Sequence, residues 1–214
     1  MKADGKCLAV FLDGTWNTEK SNTNVWRAKS LCVSDEQQLV YYSRGVGTTR
    51  WQKIRGGLLG YGLYEDVAEA YKWLMKHYQT GDRIYIFGFS RGAYTARSLA
   101  GIISKCGLLK ADSPMRPIQI FTRYREKLKS KTIRQLKNDN LPEVMNEDRL
   151  MVEHSQDVPI RFLGVWDTVG TMGIPWKLRF FSRKRFQFHE TDLRINQTFE
   201  YHAIAIDEHR ITFK

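Results

Sequence analysis

The chain has 214 residues, enough for one domain with a sizeable core, or one domain plus an insertion. An apolar share of 42% and an aromatic share of 13% exclude a disordered protein, and no stretch approaches the ~20 apolar residues of a membrane-spanning helix. The net charge of +11 suits an anionic membrane surface, nucleic acid or an acidic substrate, and equally a soluble basic surface, so charge alone selects no partner.

The amino terminus runs straight into Asp13 without a small-residue cleavage pattern, so no signal peptide is expected. Cys7 to Leu12 (CLAVFL) is a short apolar run that reads as a buried strand, and Asp13-Gly14-Thr15 turns the backbone at its end. Gln38 to Ser43 (QLVYYS) is a second strand, followed by the glycines of SRGVGTT. From Leu63 to Tyr78, apolar residues at Tyr64, Val67, Ala68, Tyr71, Leu74, Met75 and Tyr78 recur at three- and four-residue steps, the spacing of an amphipathic helix. Arg83 to Phe87 is a third strand, and a helix is expected from about Gly92 to Lys105, ended by Gly107.

Met115 to Arg149 is polar, and Ile118, Phe121, Tyr124 and Leu128 follow helical spacing within it. It reads as a basic helical insertion at about 115–149, solvated with one packed face. Ile160 to Trp166 (IRFLGVW) is a fourth strand, stopping at Asp167. Trp176 to Phe188 interleaves aromatics with Lys and Arg, a composition that fits a lipid interface, a nucleic-acid strand or a loop folded onto the domain. The period of Tyr201 to Glu208 fits helix and strand alike. Strands alternating with helices imply an α/β fold, a mostly parallel sheet flanked by helices, in one domain over 1–214.

Three scattered cysteines with no C-x-x-C pair argue against a zinc ribbon, a redox motif or a disulfide scaffold. Cys7 and Cys106 read as buried thiols in a protein that matures in a reducing compartment. No metal and no cofactor is expected.

The strongest chemical signal is Gly88-Phe89-Ser90-Arg91-Gly92, a G-x-S-x-G lying directly after a strand and directly before a helix. A serine on so sharp a turn needs glycine two residues before and after it. The turn lifts the Ser90 hydroxyl above the sheet edge as a nucleophile. It also aims the Arg91 backbone N–H at the place where an oxyanion would form. Asp167, at the carboxyl end of a buried strand, is the candidate triad acid, the alternative being a turn-capping aspartate. Histidine is the weak link: of His77, His154, His189, His202 and His209, only the last three follow Asp167, and His202 is the candidate base among them. The Asp13-Gly14-Thr15 turn offers a second oxyanion donor at Gly14, where a missing side group lets backbone approach a ligand. It lacks the D-x-D nucleophile of a phosphatase, since Phe11 occupies that position. Gly45-Val46-Gly47-Thr48 is not a phosphate-binding Walker loop.

FLDGTWN (11–17), RGVGT (44–48), GFSRGAYTARSLAG (88–101), FLGVWDTVG (162–170) and HAIAIDEHR (202–210) occur in one order across nearly the whole sequence. In these motifs the protein resembles the α/β-hydrolase domain of the type VI secretion phospholipase-effector family, which includes uncharacterised bacterial and fungal proteins. The resemblance implies an α/β-hydrolase-like fold, hydrolysis of lipid esters, Ser90 as nucleophile and Asp167 as triad acid. In secreted members it implies phospholipid substrates in a neighbouring cell's membrane. It also implies a triad histidine in a W-F-x-G-x-H segment beyond Lys214. On that reading His202 is a structural residue, and the hydrolase domain is either C-terminally incomplete or without its base.

The expectation is therefore a serine esterase of phospholipase type acting on a lipid ester, with peripheral contact to an anionic membrane. A cytoplasmic protein, or one exported without a signal peptide, is expected. The rival is a catalytically impaired hydrolase-like module that binds a membrane or a partner. Nucleic-acid binding ranks last, because no recognition motif accompanies the charge.

Overall fold

Five short segments become one wholly parallel sheet, whose three central strands are too apolar to face water and are covered by helices, while the last strand, at one edge, is exposed. The computed structural model describes residues 5–14, 17, 19–45, 59–126, 131–138, 146–166 and 199–204. The principal strands are β1 (Cys7–Leu12), β2 (Gln38–Ser43), β3 (Arg83–Phe89), β6 (Ile160–Trp166) and β7 (Glu200–Ala203). Their order is β2-β1-β3-β6-β7, every neighbouring pair parallel. The main helices are α1 (Asn24–Ser30), α2 (Leu59–His77) and α3 (Arg91–Cys106).

The alternation of each strand assigns its side chains to two layers. Leu8, Val10, Leu12, Ile84 and Ile86 face α2 and α3, which return Val67, Ala70, Tyr71 and Leu74, and Ala93, Ala96, Leu99 and Ile103. On the other face Ala9 and Phe11 pack with Val25 of α1, and Phe11 stacks on Phe87 at 4.7 Å between ring centroids. The buried Tyr71 hydroxyl donates to the Gly107 carbonyl and accepts from Leu109 N–H, both at 3.0 Å, which fixes the exit of α3 against α2.

The strands predicted at Cys7–Leu12, Gln38–Ser43 and Ile160–Trp166 stand as read. The helix expected from Leu63 begins a turn earlier, at Leu59. Of the segment ambiguous between helix and strand, Tyr201–Ala203 enter the sheet in β7, and residues 205–208 lie outside the described residues. Cys106 is a buried thiol, whereas Cys7, at the first position of β1, is only half-buried. Trp176 to Phe188 lies outside the described residues.

Among the described residues, the basic insertion holds three short helices rather than one: α4 (Pro117–Glu126), α5 (Ile133–Asn138) and α6 (Asn146–His154). Strands β4 (Leu108–Leu109) and β5 (Ser155–Gln156) pair antiparallel at its two ends. Its packed face also differs from the sequence reading. Ile120, Phe121 and Tyr124 are buried, while Ile118 is 47% exposed. One of its cations is buried rather than solvated. Arg123 is buried, its Nε donates to Asp148 at 2.6 Å and its Nη2 donates to the Lys131 carbonyl at 2.9 Å, so a single guanidinium ties α4 to α6 and to the start of α5.

Candidate active site

Ser90 sits at the carboxyl end of β3, between that strand and α3, in a conformation that L-residues avoid: φ is 55° and ψ is −116°. Holding a non-glycine residue there costs about 1–3 kcal/mol. The surrounding packing imposes it. A Cβ on Gly88 would stand 2.5 Å from the Gly92 carbonyl oxygen and 2.6 Å from Ala93 Cα. A Cβ on Gly92 would run into the Leu12 carbonyl at the end of β1. The two glycines thus let α3 start flush against two strand ends, and Ser90 absorbs the bend.

Ser90 also stands at the N-cap of α3, where a serine ordinarily spends its hydroxyl on a first-turn N–H. Its side chain makes no such capping bond. Its backbone is engaged instead: Ser90 N–H donates to the Trp166 carbonyl at 3.0 Å, and its own carbonyl accepts from Ala93 N–H at 3.1 Å. The hydroxyl is left for other chemistry. Arg91 opens α3, so its N–H belongs to a first turn that has no intrahelical acceptor, at the positive end of the helix dipole.

The turn after β1 closes against the nucleophile from the other side. A Cβ on Gly14 would stand 3.3 Å from Ser90 Cβ and 3.2 Å from the Phe89 ring, so a larger residue would press on the elbow. The Gly14 N–H donates to Asp13 Oδ1 at 2.8 Å, and the Gly14 carbonyl accepts from Asn17 N–H at 3.1 Å. What Gly14 brings to Ser90 is therefore closeness, its own N–H being committed to Asp13.

The remaining predicted residues are placed less directly. The Ser90–Trp166 bond brings the end of β6 to the elbow, and Asp167, next in sequence, lies outside the described residues. His202 is on β7, level with Val165 and through it with Gly88. Two strand spacings, roughly 10 Å, separate it laterally from β3. It is exposed, on the strand whose Glu200 pairs with Arg97 of α3 at 3.1 Å. His77 Nδ1 donates to the Trp73 carbonyl at 2.8 Å within α2, and His154 ends α6. His189 and His209 fall outside the described residues. Ser90, Arg91 and Gly14 are brought together.

Sequence reasoning missed Asp66. On α2, it lies under Ser43 at the end of β2, whose Oγ donates to Asp66 Oδ1 at 3.5 Å. Burial first, and then the neighbouring Glu69, raise its carboxyl to about 6, while the Ser43 hydroxyl and the Arg91 guanidinium pull it back down. Burial in turn lowers the Arg91 guanidinium, with Asp66 opposing it. The side chain following the nucleophile is thus in electrostatic contact with α2. No His/Cys/Asp/Glu group able to hold a metal ion occurs among the described residues, and none of their helices is long and apolar enough to cross a membrane.

The family described as the type VI secretion system phospholipase effector Tle1-like catalytic domain matches residues 6–214. An uncharacterised protein of Saccharomyces cerevisiae is 26% identical over 234 aligned positions, which take in 99% of this sequence but only 32% of the yeast protein. Among solved structures, ClbQ from the colibactin NRPS/PKS pathway is similar at a TM-score of 0.34 and 13% identity, over 94% of this sequence and 88% of ClbQ.

Proposed function

Because the protein belongs to the family of Tle1-like phospholipase effector catalytic domains, we propose that it hydrolyses carboxylic esters of phospholipids through an acyl-enzyme on Ser90. The observation that carries this reading is Ser90 itself, a strained N-cap serine whose hydroxyl is not used for capping. Strain of this kind persists only where surrounding packing over-determines it, and it concentrates at functional sites.

In the proposed reaction Ser90 Oγ forms a bond to the ester carbonyl carbon while its proton passes to a base. The oxygen that becomes negative is met by the Arg91 N–H at the start of α3, where the helix dipole favours an anion. The carbon–oxygen bond to the glycerol then breaks and the base returns the proton to the leaving alkoxide. Water repeats the sequence to free the fatty acid and restore Ser90. The base in this reading is a histidine oriented by Asp167. The net charge of +11 favours an anionic lipid surface over a neutral one.

A second reading rests on the basic character of the protein, with its net charge of +11. The domain would then bind a membrane without cutting it. Fatty-acid release from vesicles of phosphatidylglycerol and phosphatidylcholine, with Ser90→Ala as control, separates the two. Release by the native protein and none by the variant is the expected result. Sedimentation of both with vesicles, without release by either, would establish the binding module instead.

A further inference from the structure

The turn that closes on Ser90 is organised by one carboxylate. Asp13 is 1% exposed, directly after the last residue of β1. Its Oδ1 accepts from Gly14 N–H at 2.8 Å and from Asn17 Nδ2 at 3.2 Å. Its Oδ2 accepts from the Thr23 hydroxyl at 2.7 Å and from the Tyr42 hydroxyl at 3.0 Å. Those donors come from the turn itself, from the N-cap of α1, and from β2.

An ionised carboxylate is the side chain that accepts at all four positions and donates at none. An amide offers one acceptor oxygen in place of two, so the hydroxyls facing its NH2 would have to turn their protons elsewhere, and a hydrophobe would leave all four unmet in a buried place. Asp13 is therefore saturated, with no lone pair left for a nucleophilic or basic role. The same turn is gripped from two further directions. Gly45, at φ +73°, packs so closely that a Cβ there would stand 2.7 Å from both the Asp13 and Gly14 carbonyl oxygens, and Gly92 packs beneath the Leu12 and Asp13 carbonyls. A Cβ on Gly14 would stand 2.6 Å from Asn17 Nδ2, 3.2 Å from the Phe89 ring and 3.3 Å from Ser90 Cβ.

We propose that Asp13 is the positioning residue of the active site: its four-donor carboxylate holds the Gly14 turn against Ser90 and so sets the space in which the oxyanion forms. The proposal rests on the reading of Ser90 as nucleophile. It assigns Asp13 no contact with substrate. Its consequence is kinetic, because a turn that drifts by a fraction of an ångström widens the oxyanion space more than it weakens binding of a distant acyl group.

The test is the rate of labelling by an alkyl fluorophosphonate at several probe concentrations, which separates the limiting rate kinact from the half-saturating concentration KI. Asp13→Asn and Tyr42→Phe are compared with the native protein, each at a temperature where its melting curve shows it folded. Asp13→Asn should lower kinact by about 30-fold or more, and Tyr42→Phe, which removes one donor of four, by about three- to tenfold, with KI within about twofold of native in both. A purely structural role would lower the Tyr42→Phe melting temperature and leave kinact unchanged. That result, or native kinact in a folded Asp13→Asn protein, overturns the proposal. Should Asp13→Asn not fold, Tyr42→Phe decides alone. Absence of label in the native protein would overturn the nucleophile reading and this one with it, whereas native labelling with unchanged variants overturns only the role of Asp13.

Discussion

Replacing Asp66 by Asn should make the protein more stable at pH 8 and leave it nearly unchanged at pH 4. Burial and Glu69 raise the Asp66 carboxyl from 3.8 to about 6 in the folded protein, so the native state holds this proton more tightly than the unfolded state does. The stability that proton confers is full below about 3.8 and is lost as pH rises through about 6. Across that window the loss amounts to at most about 3 kcal/mol. Asparagine, close in shape to the protonated acid, does not ionise and carries no such penalty. The expected gain at pH 8 is therefore about 1–3 kcal/mol, or a rise in melting temperature of roughly 2–10 °C for a domain of this size. Urea denaturation of both proteins at pH 4 and pH 8 measures it. A variant less stable than native at pH 8 would refute the reasoning, because it would mean that attraction between ionised Asp66 and Arg91 outweighs the cost of burying the carboxylate.

Ser90→Gly should abolish fluorophosphonate labelling while raising stability by about 1 kcal/mol in thermal denaturation, since glycine adopts a φ of 55° freely but loses more entropy on folding. Gly92→Ala should cost about 1–3 kcal/mol and suppress labelling together, because its Cβ lands on the Leu12 carbonyl and moves the elbow, an outcome read by a melt and a labelling gel. Arg123→Ala should cost about 3–5 kcal/mol in urea denaturation, because it leaves Asp148 without its partner and strips a donor from the Lys131 carbonyl.

The parts of the fold that were legible in the sequence are those whose cause is local. CLAVFL and IRFLGVW are strands because an apolar run of that length between turn signals has few other places to go. The elbow was legible because G-x-S-x-G between a strand and a helix is itself a local pattern: the need for Gly88 arises from Gly92 and Ala93 close by, although that for Gly92 comes from the Leu12 and Asp13 carbonyls of another strand end. Helix α1 went unread because Asn24–Ser30 spans only seven residues and buries Val25 alone, too little to show a period. The inward face of α4 was misjudged at Ile118 because Ile118 stands one helical step from Phe121 and Ile120 one helical step from Tyr124, and only the tertiary packing chooses Ile120. A buried Arg123 has no signature in the sequence, because its burial depends on Asp148, 25 residues away. The Asp13 network was half visible: a lone aspartate closing an apolar strand marks a turn, but the Tyr42 hydroxyl that completes it arrives from another strand, 29 residues on.

The central claim is that Ser90 is an activated nucleophile, and fluorophosphonate labelling of the native protein beside Ser90→Ala and His202→Ala tests it most directly. Label in the native protein and in His202→Ala, and none in Ser90→Ala, is the predicted result, since His202 lies two strands from the elbow. An unlabelled native protein, or label lost in a folded His202→Ala as well, would contradict the account.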